Sequence, residues 1–293
     1  MFPELIHKFR GGIVGVECLP NHEASDLERH LGIQFPERPY KALINKRNTL
    51  AYAADALFLS FPPRIPELIG LIASQTTDPA LGFYLDSSNI FFTTGSNLYV
   101  AHHENMHGFM YQINPLIRSV QNRYTLSVIG RFIGISQTPD PMPPMILKCF
   151  NEGMADWAAI QTGLKIGGGI ASEAYRGHIY LSGDSGRRAR RLGINRTKVK
   201  TQLVDLEDAI SLTADALELR SNLGRDMLNR AMRITSGYLI YSTGYHFVFD
   251  AMNALKDKNI TTGDGLVLLI KNPPTKLQAF RDPVKYITEL LAA

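Results

Sequence analysis

The sequence predicts an α+β fold that is mostly helical, with one small sheet ahead of a long helix. The segment GFYLDSSNIFFTTG, which begins at Gly82, is rich in aromatic and β-branched residues and is bounded by Gly, Asp and Ser. This pattern is typical of two short strands or a hairpin. Most other stretches repeat apolar residues at helical spacing, so helices should dominate the fold.

Composition places the chain among ordinary globular proteins. Its 293 residues can form one unit with a sizeable core, and its hydrophobic fraction of 45% and charged fraction of 20% exclude disordered and fibrous classes. No run reaches the roughly 18 apolar residues of a membrane span, and the first residues lack the apolar segment of a secretory signal, so a cytoplasmic protein is expected. Cys18 and Cys149 are far apart, so a disulfide framework is not expected.

The chain is predicted to be a single unit, 1–293, in which residues 1–80 form a helical leader. Short helices interrupted by prolines are expected there, at 23–32, from 40 to 59, and after the FPPRIP break. This leader contains no residue pattern that indicates chemistry.

A core region is predicted at residues 81–165, and its first long helix at 96–113. Ser96 and Asn97 are good N-cap residues, and the segment LYVAHHENMHGFMYQI keeps helical spacing until a proline follows. A further helix is expected at 116–135.

The second long helix of this core is predicted at 144–162, after the rigid segment TPDPMPP. Pro144 suits the first turn of a helix, and Gly163 is expected to end it. Residues 166–203 are then predicted to be a basic loop, and 204–293 a helical C-terminal lobe. Helices within this lobe are expected at 204–220, 224–254 and 283–291.

The predicted helix 96–113 contains the pattern HExxH, formed by His103, Glu104 and His107. A spacing of four places both imidazoles on one helix face, where their nitrogens can share one metal ion. Glu104 follows the first histidine by about 100° of helix rotation, so its carboxylate can accept a proton from water at the metal. The alternative is a chance pattern in which the histidines only pack.

A third metal ligand is available at Glu152, in the segment FNEGMADW. A catalytic zinc takes three protein ligands and keeps an open position, and two histidines with one glutamate are an accepted set. Asp156 follows Glu152 by one helical turn and can accept the outer N–H of a ligating histidine, most readily His103. One Zn²⁺ per chain is therefore predicted, and residues 81–165 are then the metal-binding core of a single catalytic unit. The two acids could instead be an exposed helical pair.

HENMH followed by NEGMAD resembles the gluzincin metallopeptidases of the MA clan. NEG-x-A is similar to the glutamate helix of M1-type aminopeptidases, and an aspartate four residues after the glutamate is similar to thermolysin-like enzymes. The resemblance covers roughly residues 83–253. It implies a zincin-like fold and hydrolysis of a peptide or protein substrate by a metal-activated water, with His103, His107 and Glu152 as ligands and Glu104 as general base.

The segment YSTG, which begins at Tyr241, is similar to the Y-x-x-G segment of M1-type enzymes. This resemblance implies that Tyr241 donates a hydrogen bond to the oxyanion of the transition state. Tyr238, Tyr245 and His246 lie on the same predicted helix and are alternatives for this role, and an aromatic stripe there could also be core.

Two departures from these families limit the assignment. The stretch between His107 and Glu152, residues 108–151, is 44 residues long, which is more than M1-type or thermolysin-like spacing suggests. The GxMEN segment by which M1-type enzymes recognise a free amino terminus is absent from the sequence. Endopeptidase and exopeptidase activity therefore both stay open.

Two other functions are compatible with the sequence. The segment RRARRLGINRTKVK at 187–200 has seven cations in fourteen residues and could bind nucleic acid, although a solvated loop is the default interpretation. A zinc-binding protein without turnover is the other alternative. The sequence does not indicate an oligomeric state.

Overall fold

The computed structural model describes residues 18–43, 82–85, 89–93, 98–120, 142–166 and 238–293. The strands are β1 (Cys18–Leu19), β2 (Tyr40–Leu43), β3 (Gly82–Leu85) and β4 (Ile90–Thr93). The helices are α1 (His22–Leu31), α2 (Leu98–Ile113), α3 (Met142–Lys165), α4 (Tyr238–Asp257), α5 (Thr262–Lys271), α6 (Leu277–Arg281) and α7 (Pro283–Ala292). Residues 115–120 are also helical. The described part is thus mostly helical with one small sheet, as predicted.

The four strands form one sheet in the order β1-β2-β4-β3. The predicted hairpin is confirmed: β3 and β4 are antiparallel, with Gly82 opposite Thr93 and Leu85 opposite Ile90. Asn89, directly before β4, has a φ of 49°, a left-handed conformation that asparagine tolerates better than most residues. The hairpin leaves β3 at the edge of the described sheet.

The prediction of a helix from 40 to 59 is wrong at its start, because Tyr40–Leu43 forms β2. This strand pairs in parallel with β4, with Ala42 opposite Phe92, and in antiparallel with β1. A short apolar run is compatible with helix or strand, and pairing with a distant partner decides between them. The remainder of that predicted helix lies outside the described residues, as do 187–200, 204–220 and 224–237.

Helix α1 confirms the helix predicted at 23–32, but it begins and ends one residue earlier, at His22–Leu31. The Asn21 side chain accepts a hydrogen bond from the backbone N–H of Ala24, which satisfies one free donor of the first turn. Gly32 closes the helix with a φ of 69°, the left-handed conformation that favours glycine.

Helix α3 is the centre of the hydrophobic core, and α1, α2 and α4 all pack against it. The prediction that Gly163 ends this helix is wrong, because α3 continues to Lys165. A glycine costs a helix only about 1 kcal/mol relative to alanine. Leu164, one residue beyond the glycine, packs against the hydrophobic core, which favours continuation of the helix.

Helices α3 and α4 touch backbone to backbone at two glycines. A Cβ atom on Gly153 would lie 1.9 Å from the carbonyl carbon of Gly244, and one on Gly244 would lie 1.8 Å from the carbonyl oxygen of Cys149. Any larger side chain would separate the helices. This contact fixes the position of α3 directly beside Glu152.

The C-terminal helices α5, α6 and α7 all pack against α4. The Phe247 ring lies 4.6 Å from that of Phe280 and 5.7 Å from that of Tyr286, measured between centroids. The predicted last helix is confirmed as α7, with Pro283 in its first turn and Asp282 as its N-cap. The sequence did not predict α5 and α6. Within the described ranges, no helix has both the length and the apolarity to cross a bilayer.

Candidate metal centre

Helix α2 brings the two histidines of the HExxH pattern together. The Nε2 atoms of His103 and His107 lie 3.0 Å apart, and their ring centroids lie 4.7 Å apart. Both residues are buried, with 8% and 7% of their surface exposed. The spacing of four residues therefore aims both nitrogens at one point, as predicted.

Helix α3 adds the carboxylate of Glu152 to this pair. Its Oε2 atom lies 3.4 Å from Nε2 of His103 and 3.5 Å from Nε2 of His107. Donors at zinc bond lengths of 2.0–2.2 Å in a tetrahedron lie about 3.3 to 3.6 Å from one another. His103, His107 and Glu152 thus form a group whose donor atoms are close enough to bind one metal ion.

No family model, curated protein or solved structure matches this chain. The chemistry of the site is therefore inferred from its own residues. Two neutral imidazole nitrogens and one carboxylate oxygen are borderline and hard donors, a set that suits Zn²⁺ and other divalent first-row metals.

The ring of His103 is oriented from behind by Asp156, also on α3. His103 Nδ1 lies 2.7 Å from Oδ1 of Asp156, which is 1% exposed. With its proton on Nδ1, His103 directs the lone pair of Nε2 toward Glu152. The Tyr99 hydroxyl donates a hydrogen bond to the same Asp156 oxygen.

The ring of His107 is oriented by a separate partner. Its Nδ1 atom lies 3.2 Å from Oδ1 of Asn151, the residue directly before Glu152. The Asn151 amide in turn donates to the Tyr111 hydroxyl at 3.0 Å, and the Tyr111 ring stacks on His107. Each ligating nitrogen therefore belongs to a ring whose other nitrogen has a hydrogen-bond partner.

Charges at the site favour an anionic Glu152 beside the two imidazoles. Burial alone would raise the pKa of Glu152, but hydrogen bonds and charges from His103 and His107 hold this pKa well below its ordinary value. Burial opposes a charge on His103, yet the hydrogen bond and charge of Asp156, with those of nearby glutamates, raise the His103 pKa well above its ordinary value. Without a metal ion the carboxylates thus favour a proton on His103, and a bound metal ion would displace that proton.

Glu104 lies beside this group but is not one of its three donors. Burial raises the pKa of Glu104, and the charge of Glu152 adds to that effect, while His103 and His107 oppose it. A backbone hydrogen bond from Tyr84 also stabilises the Glu104 carboxylate. A carboxylate with a raised pKa is a better proton acceptor near neutral pH.

The bond from Tyr84 places the edge strand β3 against α2. The Tyr84 ring covers Gly108, where an added Cβ atom would lie 2.8 Å from the ring. Its hydroxyl donates to Asn89 at 2.8 Å, and the same Asn89 oxygen accepts from Gln112 at 3.1 Å. The hairpin is thus fastened to the helix that carries Glu104.

The opposite face of α2 is held by a buried polar contact with α1. Asn105, within the HExxH pattern, accepts a hydrogen bond from Asn21 at 2.6 Å and donates to the carbonyl of Ala101 at 2.8 Å. His102 is fully buried on this side, 3.8 Å from a carboxylate oxygen of Asp26, and its burial lowers its pKa. His102 therefore belongs to the packing between α1 and α2.

The structure brings together four of the six site residues predicted from sequence: His103, His107, Glu152 and Asp156, with Glu104 adjacent. Tyr241 lies on α4, three residues before the contact at Gly244, but its side chain lies outside the described part. Its alternative Tyr245 is 2% exposed, in the core.

Three residues of the site were missed from sequence: Tyr99, Asn151 and Tyr111. The position of each residue relative to the three metal-binding candidates could have indicated that it belongs to the site. Tyr99 lies four residues before the first histidine and Tyr111 four residues after the second, on the same helix face, and Asn151 immediately precedes the glutamate.

Proposed function

We propose that this chain is a zinc-dependent metallopeptidase of the gluzincin kind, with a zincin-like fold. One observation carries the proposal: three donor atoms on two helices lie within 3.5 Å of one another, with the Glu104 carboxylate held beside them. A purely structural site would not need that additional carboxylate. His103, His107 and Glu152 would hold the zinc ion.

Zinc in this donor set supplies a Lewis acid, which lowers the pKa of a water in its open position to about 7 and polarises a peptide carbonyl. The protein supplies the proton transfers. Glu104 accepts a proton from the attacking water as the new C–O bond forms, and then delivers it to the amine as the C–N bond breaks. The hydrogen bond from Tyr84 keeps the Glu104 carboxylate oriented for both transfers.

Charge that develops on the carbonyl oxygen requires a hydrogen-bond donor, and we propose Tyr241 for this role. The contact between Gly153 and Gly244 supports the assignment, because it brings α4 to the part of α3 that carries Glu152. Three residues of helix separate Tyr241 from Gly244, about 4.5 Å along the axis. The backbone of Tyr241 therefore lies within one helical turn of the contact between Gly153 and Gly244.

The proposal is tested by incubating the purified protein with a mixed peptide library and identifying the cleaved bonds by mass spectrometry. We expect cleavage that a zinc chelator abolishes and that added Zn²⁺ restores. The positions of the cut bonds would also distinguish endopeptidase from exopeptidase activity. Bound zinc without cleavage of any peptide would instead support a zinc-binding protein that lacks turnover.

A further inference from the structure

Four aromatic rings follow one another along the metal-facing side of α2. They belong to Tyr99, His103, His107 and Tyr111, each four residues after the last. Their successive centroids are 6.1, 4.7 and 6.0 Å apart. The two outer rings differ from the inner pair because each has a hydroxyl group that reaches across to α3.

The Tyr99 hydroxyl acts on Asp156. It donates to Oδ1, the same oxygen that accepts the hydrogen bond from Nδ1 of His103. The other Asp156 oxygen is buried and has no hydrogen-bond partner among the described residues. Two donors on one oxygen therefore fix the rotation of this carboxylate and keep Oδ1 facing His103.

The Tyr111 hydroxyl acts on Asn151 in the corresponding way. It accepts a hydrogen bond from the amide nitrogen of Asn151 at 3.0 Å, which turns the amide oxygen toward Nδ1 of His107. An asparagine amide can rotate by half a turn and exchange its donor and acceptor. The Tyr111 hydroxyl holds one end of this amide, so the other end stays directed at the His107 ring. The guanidinium of Arg118 lies 5.5 Å from the centroid of the Tyr111 ring and holds the ring in place.

We propose that Tyr99 and Tyr111 are positioning residues of the metal centre, each fixing through its hydroxyl the group that orients one ligating histidine. The inference rests on the metal site of the proposed function. It assigns the two hydroxyls the same task at opposite ends of the HExxH pattern. Both tyrosine oxygens bond to residues of α3, so each tyrosine acts on a histidine through another side chain.

The test is the metal affinity of Tyr99→Phe and Tyr111→Phe, singly and together, with Tyr286→Phe as control. Phenylalanine keeps each ring and removes only the oxygen. Zn²⁺ affinity is measured by competition with a chromogenic chelator, and Co²⁺ alone is added to record the visible spectrum, which reports ligand orientation. Thermal unfolding of metal-free protein is followed in parallel.

Loss of a group that orients a metal ligand costs about 10 to 100-fold in affinity. The tyrosines contact the orienting groups and not the histidines themselves, so we expect about tenfold weaker zinc binding for each single variant. The double variant should lose more affinity, and the cobalt spectrum should change in all three. Tyr286 also donates its hydroxyl to a backbone carbonyl, that of Asn272, but belongs to α7 and packs against Phe247. Tyr286→Phe should lower the melting temperature without changing zinc affinity or the cobalt spectrum.

The outcomes separate this inference from the proposed function. If the wild type binds neither metal, the metal centre itself is wrong. If the wild type binds zinc, and both phenylalanine variants match it in affinity and cobalt spectrum, the centre stands and the positioning role is overturned. Loss of affinity in the Tyr286→Phe control to the same extent would also overturn it, because the effect would then follow from general destabilisation.

Discussion

Glu104→Gln should reduce peptide hydrolysis by about 10² to 10⁴-fold, the range for loss of a general acid–base group. Glutamine has nearly the same shape and keeps an oxygen that can accept the hydrogen bond from Tyr84. It cannot take a proton from water. Zinc content should be unchanged, since Glu104 is not one of the three donors. The measurement is kcat and KM on a peptide cleaved by the wild type, with metal analysis of the same samples.

Glu289→Gln is the matched control for this variant. Glu289 is on α7, its side chain is 66% exposed, and it forms an ion pair with Lys285 one turn away. Its replacement should leave kcat and KM at wild-type values. If Glu104→Gln retained wild-type kcat with zinc bound, Glu104 would not be the general base, and another group would have to accept the proton.

Gly244→Ala should destabilise the fold by about 3 kcal/mol or more, the upper end of the usual cost of overpacking. The new methyl group would lie 1.8 Å from the carbonyl oxygen of Cys149 and 2.9 Å from the Cα atom of Gly153. These are backbone atoms of a buried helix, so no side-chain rotation can relieve the clash. Urea unfolding of metal-free protein measures the change in the free energy of unfolding.

Gly265→Ala supplies the comparison within the same molecule. Its added Cβ atom would meet only the ends of flexible side chains, 3.2 Å from atoms of Leu255 and Met252. The gain in helix propensity, about 1 kcal/mol, offsets much of that crowding. We expect a change within about 1 kcal/mol. Equal effects from Gly244→Ala and Gly265→Ala would contradict a backbone contact between α3 and α4.

The parts of the site that depend on local spacing could be predicted from sequence. Residues four apart on a helix lie on the same face. The sequence therefore predicted a shared face for His103 and His107, and another for Glu152 and Asp156. The hairpin before α2 was also predictable, because its pattern and its pairing are local. That both helices contribute to one site could be inferred because a catalytic zinc ion takes three protein ligands, and two histidines with one glutamate are an accepted set.

The parts that depend on distant partners could not be predicted. β2 became a strand because it pairs with β4, more than forty residues later in the chain. Gly244 looked like part of a catalytic segment, yet its structural role is the close approach to Gly153. The hydroxyls of Tyr99 and Tyr111 bond to Asp156 and Asn151, and these bonds depend on the packing of α3 against α2. No periodicity within one segment contains this information.

Elemental analysis of the wild type and of Glu152→Ala tests the metal centre. Both proteins are purified without chelators, and the metal content of each is measured. Glu152 supplies the one carboxylate of the donor group, so its loss should release the metal. We predict about one zinc per chain in the wild type and almost none in the variant, with far-ultraviolet circular dichroism unchanged. A wild type without metal, or a Glu152→Ala protein that keeps a full complement of zinc, would contradict the proposed centre.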